Sequence, residues 1–400
     1  MLGSDSATSG FTVLLASVLK PVDDTRMREK FAAALLAWPN AQVQVRVHVA
    51  GRDPGGNLDP DLVAGFPRIC YHSIFWGSRL GLNRLTAQGR YWRLLRAVRP
   101  TLIIVHAPEL LPLTLLWQRL GRGRQFIYDI RENYALNIST QGVYGRGVRG
   151  WLAAGLRWVE TRAAGRAAAV ILAEASYAAE LPFLARLPAN RVLTLENKYQ
   201  PAAEEQLPTG ARASPPPDQP LRLLFSGTIS GLNGVREAIA LTQELRRAWP
   251  GGARLHLIGY CQQPALLREL TRLAGENPAW LTLTGGARPV PHRHIITAIA
   301  GADFGLLAYQ PHPSTARCRP TKLFEYLAHG LPVLLPTNPL WEALLVRHQA
   351  GLVVDFARPT RAAATVAAAA GQLFYPQGPP AEVLWASEAK KLRHLLESLV

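Results

Sequence analysis

Short apolar runs alternate with helical patterns almost from one end of this chain to the other, and that alternation limits the folds open to it more than any other feature. In the first half the runs are Thr12–Leu15, Val43–Val49, Arg68–Tyr71, Leu102–Val105, Phe126–Tyr128, Ala169–Ile171 and Val192–Leu195. Stretches at helical spacing lie between them, among them Arg26–Ala37, Leu85–Val98 and Gly147–Ala164. Runs this short are predicted to be strands, and strands separated by helices belong to parallel sheets built of βα units. A second series follows at Leu221–Phe225, Leu255–Ile258, Leu281–Thr284, Phe304–Leu307, Val333–Leu335 and Leu352–Val354.

Between the two series the pattern stops. From Gln200 to Pro220 there is no apolar periodicity, and prolines recur, including Pro215-Pro216-Pro217. This segment is predicted to be a linker. A chain of 400 residues is long for one compact domain, so two doubly wound halves are expected. Their boundaries fall at residues 1–200, the linker 201–220, 221–381, and a last amphipathic helix over 382–400. In sheets of this kind ligands sit beyond the carboxyl ends of the strands.

Composition removes several classes. The three cysteines, Cys70, Cys261 and Cys318, are far apart and form neither a CxxC pair nor a Cys/His ligand spacing. Neither a disulfide framework nor a zinc site is expected, and reduced thiols suit a cytoplasmic protein. The apolar run Phe11–Leu19 is short, interrupted by Thr12 and Ser17, and followed by Lys20-Pro21, so it reads as a strand rather than a signal peptide or membrane span. The balance of 44 basic to 28 acidic residues, a net +16, favours anionic partners without naming one.

The stretch Arg319-Pro-Thr-Lys-Leu-Phe-Glu-Tyr-Leu-Ala-His-Gly-Leu-Pro-Val-Leu-Leu335 reads as a helix start followed at once by a buried strand. Pro320 suits the first helical position, Leu323, Phe324 and Leu327 form an apolar stripe, and Gly330 with Pro332 ends the helix. Lys322 and Glu325 lie one turn apart on the remaining face, with Lys322 in the first turn, where bare N–H groups favour an anion. On spacing alone, a solvated Lys–Glu pair on a surface helix is the commoner reading. The loop Phe225-Ser-Gly-Thr-Ile-Ser-Gly-Leu-Asn-Gly234, which ends one strand and opens a helix, can bring backbone N–H groups near a phosphate or can serve turn geometry alone. It does not match GxGxxG.

On these residues the chain resembles the retaining, nucleotide-sugar-dependent glycosyltransferases of family four. The resemblance implies the GT-B fold, an α/β architecture of two Rossmann-like domains facing each other across a cleft, with acceptors on the first domain, the donor on the second, and the last helix crossing back to the first. By position Lys322 takes the role of the lysine that holds the donor diphosphate, and Glu325 that of the glutamate on the ribose. Gly227 and Thr228 fall in the donor loop. Two departures stand out. Thr228 and Asn233 occupy the places where the family brings an arginine and a lysine to the diphosphate, which shifts that charge onto Arg319 and Lys322. Eight residues before Glu325, where the family has another glutamate against the donor sugar, stands Arg317, and no glutamate occurs from Asn277 to Phe324. Arg317 is either a solvent-facing substitution or a mark of a carboxylated sugar such as a uronic acid.

In the first half, Arg26 and Lys30 follow the first strand, where the resemblance makes them candidates to hold phosphate or acceptor; capping of the helix by Asp24 or Thr25 with a solvated charged turn is the commoner explanation. Asp129, Arg131 and Glu132 are expected on a loop at the cleft edge, Arg131 standing where relatives often have a histidine. There it is a candidate to steady the departing phosphate, though not a base. His106, three residues before Glu109, is a further cleft candidate or a structural histidine. The segments Ala173–Tyr177 and Glu196–Tyr199 resemble stretches found at the cleft and hinge in similar sequences, and are read as lining the cleft. Gly145–Arg166 carries Arg146, Arg149, Arg157, Arg162 and Arg166 with Trp151 and Trp158 at helical spacing, a face suited to an anionic membrane surface unless the tryptophans are core. Trp76, Arg79, Trp92 and Arg93 are candidates to extend it.

The sequence is therefore read as a cytoplasmic transferase, peripheral at the inner face of the membrane, moving a sugar from a nucleoside diphosphate sugar to a glycan or lipid-linked acceptor. No cofactor beyond the co-substrate is expected. With no DxD triplet at a strand end, no metal is expected either. A nucleotide-sugar 2-epimerase or an inverting transferase of the same fold is the enzymatic rival. A basic nucleic-acid-binding protein is the rival of another class; no helix-turn-helix, zinc pattern or aromatic–basic interleaving supports it, and nucleic acid is not an expected partner.

Overall fold

The structure, a computed structural model, describes residues 9–38, 43–53, 65–76, 83–140, 146–312 and 316–399. Arg79 lies outside them. The chain divides into two compact units, Met1–Gln200 with Trp385–Val400, and Pro201–Leu384.

The first unit holds a seven-stranded sheet of β1 (Ser9–Pro21), β2 (Val43–Arg52), β3 (Ile69–Phe75), β4 (Leu102–Val105), β5 (Gln125–Ile130), β6 (Ala169–Leu172) and β7 (Val192–Thr194). Their order is β3-β2-β1-β4-β5-β6-β7, and every pairing is parallel. The strand order reverses between β1 and β4, which leaves a crevice at their carboxyl ends. Because successive side chains point to opposite faces, the central strands feed two cores. Leu14, Ala16, Ile103, Val105, Phe126 and Tyr128 pack on one side. Val13, Leu15, Leu102, Ile104 and Ile127 pack on the other, joined by Trp385, Leu392 and Leu396 of the helix Trp385–Glu397. Burial on both faces is why these strands read as unbroken apolar runs. The buried Glu388 fastens the last helix by a 2.6 Å ion pair with Lys198, and the Trp385 N–H donates to the Tyr199 carbonyl. The stretch Glu196–Tyr199, expected at a cleft, thus holds the C-terminal helix through two of its residues.

The helix expected at Arg26–Ala37 begins as a π-helical segment, Arg26–Ala32, before a short α-helical turn, Ala33–Leu36. The wider turn puts Arg26, Met27, Lys30 and Phe31 inward together.

The second unit holds β9 (Leu221–Thr228), β10 (Ala253–Tyr260), β11 (Leu281–Gly286), β12 (Phe304–Leu306), β13 (Val333–Leu335) and β14 (Gly351–Val353). They form a parallel sheet in the order β11-β10-β9-β12-β13-β14, reversing between β9 and β12. The segment 201–220 differs from its expected role as a linker, because it belongs to this unit. Its β8 (Arg212–Ala213) pairs antiparallel with β15 (Leu373–Phe374), Ser214 Oγ donates to the Ala369 carbonyl at 2.5 Å, and Glu205 accepts from His329 Nε2 at 2.7 Å. Proline removes donors but leaves carbonyls and ring faces to pack, so the lack of apolar periodicity did not mean a lack of attachment.

Candidate functional site

Each unit gathers candidate residues at the carboxyl ends of its strands. In the second unit the helix Thr321–Ala328 stands over the end of β9. Tyr326 anchors it there: its hydroxyl accepts the Ser226 N–H at 3.1 Å and lies 2.8 Å from Ser226 Oγ, and its ring fills the space that a side chain at Gly305 would need. Lys322, one turn earlier, is thereby turned inward. It is only 8% exposed, its Nζ has no hydrogen-bond partner among the described residues, and the ammonium lies 4.5 Å from the centre of the Phe225 ring and 5.1 Å from that of Tyr309. Burial pushes its pKa down to about 8, with Glu325 pulling the other way. The helix begins at Thr321, with Pro320 capping it in an extended conformation rather than opening it. Lys322 is buried among aromatic rings rather than lying on a solvated face.

Glu325 is half-buried, and its Oε1 accepts from His292 Nε2 at 2.5 Å, which leaves Oε2 for another donor. No sequence pattern pointed to His292, which starts the helix His292–Gly301, 33 residues earlier. Arg319 is half-buried and Arg317 exposed, in a turn held by Trp341 Nε1 on the Cys318 carbonyl and Asn338 Nδ2 on the Ala316 carbonyl. Gly227 takes a left-handed φ of +87°, and Thr228 is exposed at the end of β9. Asn233 donates its amide to the Thr228 carbonyl at 2.8 Å, bracing the loop. Gly234, at φ +81°, fits where a Cβ would lie 1.6 Å from the Ala308 carbonyl oxygen.

In the first unit the structure corrects two expectations. Asp129 is not on a loop: it is the fifth residue of β5 and fully buried. Arg26 does not face a ligand: it is 1% exposed, its Nε and Nη2 donate to the two Asp129 oxygens at 2.9 and 2.7 Å, and Nη1 donates to the Leu195 carbonyl. His106 completes the cluster, its Nδ1 2.7 Å from Asp129 Oδ2. Burial opposes the Asp129 charge, but Arg26 and His106 outweigh it and hold the carboxyl far below its ordinary range. Burial also lowers the His106 pKa. A neutral His106 with Nδ1–H on the carboxylate leaves Nε2 as a bare acceptor, and that atom has no partner among the described residues. Lys30, with Nζ 2.5 Å from Asn197 Oδ1, is buried and its pKa falls to about 7, chiefly by desolvation. Arg131 is engaged as well: both terminal nitrogens donate to Asp24, at 2.8 and 3.0 Å, and Asp24 caps the Met27 N–H. Glu132 is half-exposed and accepts from Lys20 and Asn137.

A cavity of about 740 Å³ opens at the reversal point between β1 and β4, with His106, Lys20 and Glu132 in its lining. The expected membrane helix runs over Arg146–Ala164, and its tryptophans are not core: Trp151 is 84% and Trp158 65% exposed. Among the described residues no group of three or more His, Cys, Asp or Glu is placed to share a metal ion, and no helix is long and apolar enough to cross a membrane.

Two parallel doubly wound sheets with these reversal points define the GT-B fold, and solved structures match it along nearly the whole chain. Sucrose-phosphate synthase from Thermosynechococcus elongatus matches with a TM-score of 0.65 at 15% identity, covering 97% of this chain and 99% of its own. The glycosyltransferase WaaG, involved in lipopolysaccharide biosynthesis, gives 0.60 at 14%, covering 97% and 95%. UDP-GlcNAc 2-epimerase from Neisseria meningitidis, bound to UDP-GlcNAc, gives 0.55 at 11%, covering 97% and 100%. At such identities the likeness is one of fold. In sequence, residues 29–198 match the glycosyl transferase 4-like domain. No curated protein sequence matches the chain. The chain thus has the GT-B fold, and residues 29–198 of its first unit are similar to the glycosyl transferase 4-like domain.

Proposed function

We propose that this protein is a retaining glycosyltransferase that moves a sugar from a nucleoside diphosphate sugar, held by the second unit, to a glycan or lipid-linked acceptor, held by the first, in envelope glycan assembly. The observation that carries the donor half is Lys322, a buried ammonium in the first turn of a helix with no hydrogen-bond partner among the described residues. A buried charge left unpaired is costly, and a diphosphate would supply what this one lacks. Its oxygens would accept from Lys322 Nζ and from the helix's first N–H groups. Arg319 would add charge from the preceding turn, so that no divalent ion is required. Glu325, oriented by His292, would accept from the ribose hydroxyls through its free oxygen. As the sugar–oxygen bond breaks, these cations stabilise the departing diphosphate, and the acceptor hydroxyl attacks the oxocarbenium-like sugar from the same face, its proton passing to the departing diphosphate oxygen. The exposed tryptophans and neighbouring arginines of the Arg146–Ala164 helix would seat the enzyme on the anionic inner face of a membrane.

One observation favours a second reading, inverting transfer. Asp129 orients His106 as a carboxylate orients a general base, and an inverting displacement needs a base on the acceptor hydroxyl. The anomeric configuration of the product separates the two. Incubating UDP-GlcNAc without acceptor tests for 2-epimerisation.

The donor assignment is tested by thermal stabilisation with UDP-, GDP- and ADP-sugars. One nucleotide class at about a hundredfold over its Kd should add about 2.7 kcal/mol of stability, and Lys322→Ala should abolish the effect. If no nucleotide sugar shifts the melting temperature, the assignment fails.

A further inference from the structure

The cavity in the first unit is unlike a sugar site. The charged pairs on its rim are satisfied internally, Lys20 on Glu132 at 3.0 Å and Arg84 on Glu109 at 2.5 Å, while His106 Nε2, in its lining, has no partner among the described residues. Its long wall is aliphatic, formed by Leu152, Leu156 and Val159 of the Arg146–Ala164 helix. A space of about 740 Å³ lined in this way favours apolar matter over hydroxyl-rich matter.

The same helix presents a second stripe at helical spacing: Val148, Trp151, Gly155, Trp158 and Arg162. Trp151 and Trp158 stand exposed, Val148 is 55% exposed, and the Arg162 guanidinium lies 5.7 Å from the Trp158 ring centre. Large apolar side chains so exposed and set among arginines suit the boundary of an anionic bilayer.

Gly155 belongs to both stripes. It lines the cavity and sits between the two tryptophans. Glycine inside a helix is unfavourable, and packing does not require it here, because a Cβ at this position would meet nothing within 4 Å. With no side chain at this position the helix face between the two indoles stays open. Leu152, which lines the cavity, is itself 42% exposed.

We propose that the cavity takes a single hydrocarbon chain, acyl or isoprenoid, of a membrane-borne acceptor, and that the gap at Gly155 between Trp151 and Trp158 is where that chain passes from bilayer to protein. This deepens the reading of the first unit as the acceptor unit and rests on it. The acceptor is then a lipid recognised partly by its tail, with its hydroxyl end held toward the mouth of the cavity.

The test uses the full chain with dansyl-undecanoic acid as a soluble single-chain probe and straight-chain alcohols as neutral competitors. Wild type should bind the probe, and 1-decanol should displace it about fifteenfold more effectively than 1-octanol, about fourfold for each of its two extra methylenes. Gly155→Trp, whose side chain has open space to occupy, should weaken binding at least about tenfold, while Gly155→Ala retains it. Trp151→Ala/Trp158→Ala should lose flotation with phosphatidylcholine–phosphatidylglycerol vesicles yet keep the soluble probe. No binding by wild type, no dependence on chain length, or unchanged binding in Gly155→Trp overturns the proposal. Unchanged flotation in the double variant overturns the passage between the indoles. Nucleotide-sugar stabilisation, measured on the same proteins, reads the second unit separately. A protein that binds the chain but no nucleotide sugar would refute the transferase reading and leave the chain site standing.

Discussion

Replacing Lys322 by methionine should make the protein more stable and unable to bind its donor. The side chain keeps its length and loses its charge. In the unliganded protein the ammonium is buried without a hydrogen-bond partner among the described residues, and burial lowers its pKa from 10.5 to about 8. At about 1.4 kcal/mol per pH unit, that difference corresponds to about 3 kcal/mol of strain in the charged form. Contacts with the faces of Phe225 and Tyr309 return about 1–2 kcal/mol, so the net gain from Lys322→Met at pH 7 should be about 1–2 kcal/mol. The sign follows from linkage. Below pH 8 both folded and unfolded chains carry the proton, and the folded state bears the whole cost. Between about 8 and 10.5 the folded state has released the proton that the unfolded state still holds, so wild-type stability rises with pH. Above 10.5 the cost is gone. The advantage of Lys322→Met should therefore be full at pH 7 and nearly absent at pH 10.5. Denaturant unfolding of both proteins at the two pH values, with and without nucleotide sugar, measures this. If Lys322→Met is destabilised at pH 7, or gains equally at both pH values, the account of Lys322 as a cation held unpaired for a ligand is wrong.

Two further outcomes follow from the geometry. Arg26→Met leaves the Asp129 carboxylate buried without its bidentate partner and should cost about 3–5 kcal/mol of stability; a melting temperature near wild type would show that this arginine is not structural. Gly234→Ala forces a side chain into a left-handed position against the Ala308 carbonyl and should cost about 2–4 kcal/mol, with equilibrium unfolding as the readout and an unchanged midpoint as the contrary result.

Nearly every strand was legible because the signal is local: a run such as Leu102–Val105, buried on both faces, must be apolar throughout. The ends were less so. Asp129 looked like a loop residue because a charged side chain seldom sits in a central strand, and its partner Arg26 is 103 residues away. Glu325 was readable from its helix, but His292, which orients it, was not. The prolines of 201–220 suggested a linker, while β8 and the Glu205–His329 contact attach that segment to the second unit.

The order of apolar runs and helical patterns, set by the chain's own periodicity, determined two parallel α/β sheets and put Lys322 and Glu325 one turn apart on a helix. Only the tertiary structure decided which charges are already used. Arg26 and Arg131 are matched by Asp129 and Asp24, whereas Lys322 lies among aromatic rings with no hydrogen-bond partner among the described residues. Sequence fixes which side chains carry charge, but the cost of a charge depends on the solvent and partners around it, and these are set by residues far away along the chain.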